Sequence, residues 1–383
     1  MKIEFIKAKH SHLHLYLKGE ELFVWSIAKK ELYGFEGLGS AVFLYMDELY
    51  VKQKAEGVYC YFDGVSKEVL RPLVKQIDKI FDDSLVTHDI KIQKNQEQKT
   101  LETQGSFKHS YSLQLNEEYF LLQFEDTTLE PLLMPSLKHL QKTTTKSDFI
   151  ISIINNSRGT YEIYVDGILE DTVVNSKNLL PVLYDRIRIY HYQKNSFLVA
   201  LHAGVVTYNE IAVIFPAIFG AGKSTLSGYL MYKGFTLFSD ELTIIDECNT
   251  LTPLPLGVTL KEGSWHILEP CVDDINALSS HLRFDGQKIK LIVPPKIEYK
   301  KLHPKKNIFI FPQFIQGSST KFKALSVIEA LYLFIDAGYH LVDPNDAKKV
   351  FLWLKLLSES ELYTLVYSDI EEAHSIIKKV INQ

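Results

Sequence analysis

A short segment at positions 220–225, GAGKST, combines the residue types that proteins use to hold phosphate. Its glycines allow backbone N–H groups to point at phosphate oxygens, and a helix that begins here adds the positive end of its dipole. Lys223 can bridge the β- and γ-phosphates of a nucleotide, and the hydroxyl of Ser224 can ligate Mg²⁺. The segment therefore predicts a loop for ATP and Mg²⁺ that is formed by Gly220, Ala221, Gly222, Lys223, Ser224 and Thr225.

The residues on either side indicate the strand and the helix that such a loop needs. The apolar run IAVIFP at 211–216 is typical of a short buried strand. A helix is expected over 226–233, and Gly234 is a suitable residue to end it. Strand, glycine loop and helix together give the motif its structural context. Ala217 stands where the G-x-x-x-x-G-K-S pattern has its first glycine.

Two adjacent carboxylates, Asp240 and Glu241, follow the loop at the end of the run FTLFSDE. Asp240 comes 17 residues after Lys223, which is about the length of one helix and one returning strand. Such a unit brings Asp240 back to the phosphate end of the sheet. One carboxylate can bind Mg²⁺ while the other accepts a proton from an attacking hydroxyl.

A histidine precedes the loop in the run LVALHAGVV, where His202 lies 21 residues before Lys223. Asn209 and Glu210 then mark a turn into the strand that carries the loop. Hairpin geometry places His202 towards the same end of the sheet as the loop. A histidine in an apolar run is more often a packed core residue, so the spacing alone leaves its role open.

The rest of the chain reads as a small α+β region followed by a longer α/β region. HLHLYLKG and ELFVWSI predict a hairpin around Gly19, and a helix over 67–81 has Ser66 as its N-cap. The polar stretch 91–110 is typical of a linker, and a second hairpin is expected at Asp166-Gly167. Two helices are predicted to close the chain. These features predict domains over 1–95, 96–340 and 341–383, the last being helices that pack on the catalytic domain.

Composition excludes several classes of protein. The net charge of −5 does not suggest a nucleic-acid binder. Cys60, Cys248 and Cys271 are far apart and form no CxxC pair, which argues against structural zinc and against a disulfide framework. The apolar run at 211–221 is too short to span a bilayer. We therefore expect a cytoplasmic protein without nucleic-acid or membrane partners, and self-association is left open.

The segments LHAGVVTYNEIAVIFPAIFGAGKSTL and YKGFTLFSDELTIID resemble the catalytic domain of the HPr serine kinase/phosphorylase family, in particular its divergent HPr-kinase-related members. The resemblance covers roughly 145–340 and implies an α/β P-loop kinase domain with a mixed sheet and helices. It implies ATP-dependent transfer of phosphate to a hydroxyl, usually that of serine. It also implies Asp240 as the base or acid, Glu241 near the metal with Ser224, and His202 near the phosphates beside Lys223.

The first 90 residues resemble PqqD-like winged-helix modules, which bind leader segments of peptides destined for modification. The similar parts are ELFVWSIAKKELYGFEGLGSAVFLYMDE and the helix after it. This resemblance implies that a small winged-helix-like domain captures a peptide, which the kinase domain then phosphorylates.

Three interpretations remain at this stage. The first is a kinase for a serine of a peptide or protein, including a ribosomally made peptide precursor. The second is a kinase for a small molecule such as a free amino acid. The third is a non-catalytic module that senses nucleotide and regulates a partner, which Ala217 keeps open. The RGLG stretch that follows the acids in HPr kinases is missing here, so HPr itself is not implied as the acceptor.

The polar stretch 91–110 generates a first prediction. It has too few apolar residues to be ordered by its own packing, so limited proteolysis should cut there first. Mass spectrometry of the earliest fragments measures the cleavage sites. Early cleavage elsewhere, with 91–110 protected, would contradict the predicted boundary.

Overall fold

A computed structural model describes residues 3–6, 8–10, 12–27, 29, 31–50, 65–81, 100–101, 107–156, 159–272, 275–295, 300–342 and 346–383. The chain is mixed α/β, with several sheets and helices, and it divides into two compact units. The first unit comprises Met1–Gln93, Ala324–Ile335 and His340–Leu362, and the second comprises Lys94–Lys323, Asp336–Tyr339 and Tyr363–Gln383. Most of the predicted linker lies outside the described residues, so the domain limits drawn from the sequence remain predictions.

The first unit begins with a four-stranded antiparallel sheet in chain order and two helices. The elements are β1 (Glu4–Ile6), β2 (Leu13–Lys18), β3 (Glu21–Ser26), β4 (Glu31–Glu36), α1 (Leu38–Tyr50) and α2 (Lys67–Phe81). The predicted hairpin is confirmed, since β2 pairs with β3 across a turn in which Gly19 has a φ of +63°. The predicted α2 is confirmed too, and it buries Leu70, Val74, Ile77, Ile80 and Phe81. Whether this unit is a winged helix stays a prediction.

The second unit opens with a five-stranded sheet, also in chain order. Its elements are β5 (His109–Leu115), β6 (Glu118–Phe124), α3 (Glu130–Leu137), β7 (Phe149–Asn155), β8 (Tyr161–Val165), β9 (Ile168–Val173) and α4 (Leu179–Lys194). The predicted turn joins β8 to β9, with φ of +48° at Asp166 and +82° at Gly167. Leu180, Leu183 and Ile187 of α4 pack into the apolar core of this sheet, and the Arg188 guanidinium lies 5.7 Å from the ring centroid of Tyr184, one turn earlier.

The central sheet of the second unit carries the predicted chemistry. Its strands, and the helix that follows β12, are β11 (Ala203–Tyr208), β12 (Ile211–Pro216), α5 (Lys223–Tyr232), β13 (Thr236–Ser239), β19 (Lys306–Phe314), β20 (Lys321–Ala324) and β22 (Glu361–Tyr367). The strand order in the sheet is β13-β11-β12-β19-β22-β20. Because β11 runs antiparallel to both β12 and β13, the carboxyl ends of those two strands and the amino end of β11 share one edge. The parallel strand β19 ends at the same edge.

Smaller elements surround this sheet. They are β10 (Val199–Leu201), β14 (Thr243–Ile245), β15 (Leu251–Thr252), β16 (Val258–Lys261), α6 (Trp265–Leu268), β17 (His281–Leu282) and β18 (Lys288–Ile292). β16, β18 and β17 form a three-stranded antiparallel sheet in that order. Val258 and Leu260 of β16 join Leu226 and Leu230 of α5 in one apolar core, so this sheet is packed against the predicted helix.

The chain ends with α7 (Val327–Ala337), β21 (Tyr339–Leu341), α8 (Ala347–Glu359) and α9 (Ile370–Ile381). The two predicted closing helices are present as α8 and α9. Each is capped by an aspartate, since Asp346 accepts from the Lys348 N–H and Asp369 accepts from the Glu371 N–H. Most of α7 and all of α8 belong to the first unit, whereas α9 belongs to the second.

No helix among the described residues has both the length and the apolar composition to cross a bilayer.

The buried His281 in the second unit generates a pH prediction. It is 1% exposed, and burial, with a smaller contribution from Lys177, lowers its pKa to about 4. In the unfolded chain this histidine binds a proton near pH 6.5, whereas in the folded chain it does so only near pH 4. The free energy of unfolding therefore falls by about 3 kcal/mol in total as the pH drops from 6.5 to 4. His281→Gln should flatten the dependence of Tm on pH over that range. His303→Gln, at an exposed position, should not, and equal slopes in all three proteins would contradict the assignment.

Candidate functional site

The loop 217–222 connects β12 to α5 at the shared sheet edge, as the sequence predicts. Gly220 and Gly222 have φ values of +88° and +92°, which side-chain-bearing residues rarely adopt. A Cβ on Gly222 would also lie 2.6 Å from the Tyr367 hydroxyl and 3.1 Å from the Phe314 Cβ. Backbone geometry and space therefore both require glycine at the start of α5.

Ala217 fills the position where the motif has its first glycine. It is 5% exposed and does not have a positive φ, unlike Gly220 and Gly222. The conformation at this position is therefore open to alanine, and the departure from the motif does not distort the loop.

Lys223 is the first residue of α5, and its side chain is buried, with 7% exposure. Its Nζ lies 2.9 Å from Nε2 of His202, whose Nδ1 lies 3.2 Å from the Ala337 carbonyl oxygen. A carbonyl can only accept and an ammonium can only donate, so these contacts require a neutral imidazole with its proton on Nδ1. Burial and the charge of Lys223 both lower the pKa of His202, in agreement with that state. The predicted juxtaposition of His202 with the loop is thus present.

Asp240 follows the last residue of β13 and is 1% exposed. The Ser224 hydroxyl lies 3.2 Å and 3.1 Å from its two carboxylate oxygens, and the Thr259 N–H donates to it over 3.3 Å. Burial raises the pKa of Asp240, although the positive charge of Lys223 opposes that effect. The strand–helix–strand spacing therefore brings Asp240 back to the phosphate end of the sheet, as predicted, and its contact with the loop serine is a feature that the sequence did not predict.

Glu241 has different surroundings from its neighbour. Its φ is +73°, and its carboxylate contacts Arg188 Nη1 at 3.1 Å and Arg283 Nη1 at 3.7 Å. Burial by itself would raise the pKa of Glu241, but the positive charges of Arg188, Lys223 and Arg283 outweigh it and lower the pKa. Glu241 is therefore held as a carboxylate ion.

Sequence reasoning missed Arg188 and Arg283. Arg188 lies on α4 and also contacts Asp185 at 2.7 Å, one helical turn away. Arg283 follows β17 and contacts Asp285 at 3.8 Å. Each therefore has an acidic neighbour along the chain, which is the usual pattern of a solvated surface ion pair. Only the packing of distant segments reveals that both arginines meet at Glu241.

A cavity of about 810 Å³ opens over the loop, within the size range of ligand pockets in proteins. Three cationic side chains, Lys223, Lys261 and Arg283, and two acidic ones, Glu241 and Asp369, line it. Lys261 Nζ stands 3.0 Å from the ring centroid of the exposed Phe219, at the tip of the loop. A helix amino terminus, positive-φ glycines and an excess of cations together fit a polyphosphate such as that of ATP.

Oxygen atoms that suit Mg²⁺ lie at and behind the wall of this cavity, since Ser224 lines it and Asp240 contacts the Ser224 hydroxyl. The Ser224 hydroxyl and the Asp240 carboxylate supply the oxygen ligands that Mg²⁺ prefers. Among the described residues, no group of three or more His, Cys, Asp or Glu side chains could hold a metal by itself. A Mg²⁺ ion that binds together with nucleotide phosphates needs only one or two protein carboxylates.

Gly204 in β11 lies close to side chains of α5. A Cβ at this position would lie 2.7 Å from Ser227 Oγ and 3.4 Å from both Lys223 Cγ and Asp240 Oδ1. Because Gly204 has no side chain, Lys223 of α5 and Asp240 after β13 can both lie close to this strand.

No protein-family model matches the chain, and no curated protein matches it. Among solved structures, the chain is similar to the structure of the Hpr(Ser) kinase/phosphatase from Coxiella burnetii. That similarity has a TM-score of 0.23 and 11% sequence identity, and it covers 48% of this chain and 94% of that chain. So weak a likeness carries no argument about activity, which must rest on the geometry of the site.

The close approach at Gly204 generates a prediction that a double-mutant cycle can test. Gly204→Ala should destabilise the protein by about 1–3 kcal/mol, because the added methyl group overlaps Ser227 Oγ. In a Ser227→Ala background the same change should cost clearly less, since the clashing atom is gone. Urea unfolding of the four proteins measures the difference. Gly263→Ala, where an added Cβ meets nothing within 4 Å, is the control, and additive effects of the two substitutions would contradict the contact.

Proposed function

We propose that the protein is an ATP-dependent phosphotransferase that moves a phosphoryl group from ATP to a hydroxyl. One observation carries the proposal: a buried lysine and a serine at the start of α5 meet two carboxylates at the end of β13. Nucleotide binding by itself needs the loop and the lysine. The carboxylate pair adds the groups that proton transfer from a hydroxyl requires.

The residues of the loop would bind and orient the phosphates. Backbone N–H groups at the start of α5 would donate to phosphate oxygens, and Lys223 would supply a positive charge to them. A neutral His202 suits this site, because it accepts a hydrogen bond from Lys223 and adds no second positive charge beside the lysine. Ser224 and one carboxylate of the pair would hold Mg²⁺, which when bound neutralises charge on the phosphate oxygens.

The two carboxylates would divide the remaining work. The sequence and the family resemblance assign the base to Asp240 and the metal side to Glu241, and that division stays a prediction. A positioned base is typically worth about 10²- to 10⁴-fold in rate. Changing the carboxylate that faces the acceptor hydroxyl to its amide should therefore lower the turnover of the protein, with little loss of nucleotide affinity.

The acceptor that we propose is a serine of a peptide or protein. Within the described part of the first unit, β4 is the last strand in the order of its sheet. An extended peptide can bind such an edge through main-chain hydrogen bonds. The first unit would then capture a peptide, and the second would phosphorylate it. A kinase for a free amino acid and a nucleotide-sensing regulatory module are the alternatives.

Nucleotide binding generates the central prediction. Lys223→Ala should lower the affinity for ATP and Mg²⁺ about 10- to 100-fold, because hydrogen bonds to charged groups are worth about 1.5–3 kcal/mol. Lys233→Ala is the matched control, since it removes one positive charge from the exposed far end of the same helix. Titration calorimetry measures both affinities, and circular dichroism verifies the fold.

Unchanged affinity in Lys223→Ala would remove the assignment of the loop. Loss of affinity in that variant, together with no transfer from labelled ATP to any serine peptide or to free serine, would favour the regulatory module. Transfer to free serine but not to peptides would favour the small-molecule kinase.

A further inference from the structure

The side chains that line the loop cavity include two groups of different charge. The cationic group consists of Lys223, Lys261 and Arg283, and the last two lie close to the ring of Phe219 at the tip of the loop. The α9 group comes from the ends of β19 and β22 and the start of α9, and its members are Phe314, Gln316, Tyr367, Ser368, Asp369 and Ile370. Because the α9 group has no basic member, the phosphates of a nucleotide favour the cationic group and leave the α9 group to another part of the ligand.

Backbone contacts hold the α9 group beside the phosphate loop. The Phe314 N–H donates to the Ala221 carbonyl oxygen over 3.0 Å, and the Gly317 N–H donates to the Ser368 hydroxyl oxygen over 2.8 Å. The ring centroids of Phe314 and Tyr367 are 5.7 Å apart. The loop, the end of β19 and the end of β22 therefore form one connected wall of the cavity.

Two isoleucines line the cavity from helices that pack on α5. They are Ile267 of α6 and Ile370 of α9, and both are partly buried. The two helices share an apolar core with α5, to which Leu268, Ile377 and Leu230 belong. Apolar side chains of this kind contact the flat faces of a nucleobase, whereas they contribute nothing to the binding of phosphate.

Asp369 offers one free acceptor to this part of the cavity. Its Oδ1 caps α9 by accepting from the N–H groups of Glu371 over 2.7 Å and Glu372 over 3.3 Å. Its Oδ2 has no hydrogen-bond partner among the described residues, and the side chain is exposed at the cavity wall. One carboxylate oxygen is therefore available to a single N–H donor of a ligand.

We infer that the base of the bound nucleotide lies between Ile267 and Ile370, and that Asp369 selects adenine by accepting a hydrogen bond from its exocyclic amino group. This inference rests on the proposed function and adds to it the residue that sets nucleotide specificity. Guanine and hypoxanthine carry a carbonyl oxygen where adenine carries the amino group. That oxygen would face the carboxylate oxygen of Asp369 and be repelled by it.

The cap on α9 also argues against recognition of guanine through its other edge. Guanine has two adjacent N–H donors there, and a carboxylate binds such a pair with both of its oxygens. Asp369 lacks a second free oxygen, because the backbone of α9 engages Oδ1. The amino group of adenine needs only the one acceptor that remains.

The first arm of the experiment varies the group on the purine carbon that carries the amino group in adenine. Calorimetry with Mg²⁺ compares ATP, purine riboside triphosphate, which has a hydrogen there, and ITP, which has an oxygen there. The wild type should bind ATP about tenfold or more tightly than purine riboside triphosphate, because hydrogen bonds to ionised acceptors are among the strongest. Equal affinities for these two ligands would overturn the inference without the need for any variant.

Asp369→Asn should shift the preference from ATP towards ITP. Only the amide oxygen can accept from the N–H groups of α9, so it keeps the cap and directs the NH₂ group to the place of Oδ2. A donor then replaces the acceptor, and the ratio of the Kd for ITP to the Kd for ATP should fall about tenfold or more. The lost negative charge acts alike on the phosphates of both nucleotides, so it cancels in this ratio.

Asp346→Asn is the matched control, because Asp346 caps α8 through the Lys348 N–H and belongs to the first unit. It should leave the ratio within about twofold of the wild type. An unchanged ratio in Asp369→Asn, or an equal fall in Asp346→Asn, would overturn the assignment of Asp369.

The second arm locates the base with tripolyphosphate as a ligand that has none. Ile267→Ser should weaken ATP binding about fivefold to tenfold and leave tripolyphosphate binding within about twofold. Val174→Ser, at an exposed apolar residue of the same unit, is the control and should change neither. Loss of ATP affinity in Phe219→Ser but not in Ile267→Ser would move the base to the tip of the loop and overturn the inference.

Tripolyphosphate also separates failure of this inference from failure of the proposed function. Binding of tripolyphosphate that is lost in Lys223→Ala, together with equal binding of ATP and purine riboside triphosphate, would remove Asp369 and leave the phosphate site standing. A protein that binds neither ATP nor tripolyphosphate would overturn the proposed function, and the inference with it.

Discussion

The site depends on the burial of one ammonium group. Lys223 is 7% exposed, and burial lowers its pKa, so the charged form is stable only if nearby groups compensate for lost hydration. Asp240 and Glu241 supply the opposing charge, and His202 accepts a hydrogen bond at 2.9 Å while remaining neutral. Gly204 leaves the space in which these groups meet. A loop that binds a highly charged phosphate benefits from this arrangement, because the cation is already desolvated and held in place.

The end of β13 turns two adjacent carboxylates towards different surroundings. Asp240 continues the strand and points to Ser224, whereas the positive φ of Glu241 redirects the chain, and its side chain lies between two arginines. Neighbouring acids in an ordinary strand would also face opposite ways, but here one is buried at the loop and the other lines the cavity over the loop. The different environments push the pKa of Asp240 up and that of Glu241 down.

Segments far apart in the chain complete the site. Helix α4 contributes Arg188, the end of β17 is followed by Arg283, and β16 provides the Thr259 N–H and Lys261. The apolar cores beneath α4 and α5 hold these elements, so the electrostatic pairing at Glu241 relies on packing that is itself non-polar. A substitution in either core that shifts α4 or α5 would therefore also shift the charged groups on those helices.

The amino-acid sequence alone was enough to predict the local elements and one chemical centre. Glycine placement, apolar periodicity and spacing predicted the strand, loop and helix around Lys223, the return of Asp240 to the same edge, and the hairpins at Gly19 and Asp166-Gly167. Those features follow from backbone preferences and from the lengths of helices and strands, which act over short distances. The contact between Arg188 and Glu241 depends on tertiary packing, because an arginine with an acidic neighbour on its own helix gives no sign of a distant partner. The contrasting environments of the two carboxylates likewise depend on which surfaces pack together in the folded core.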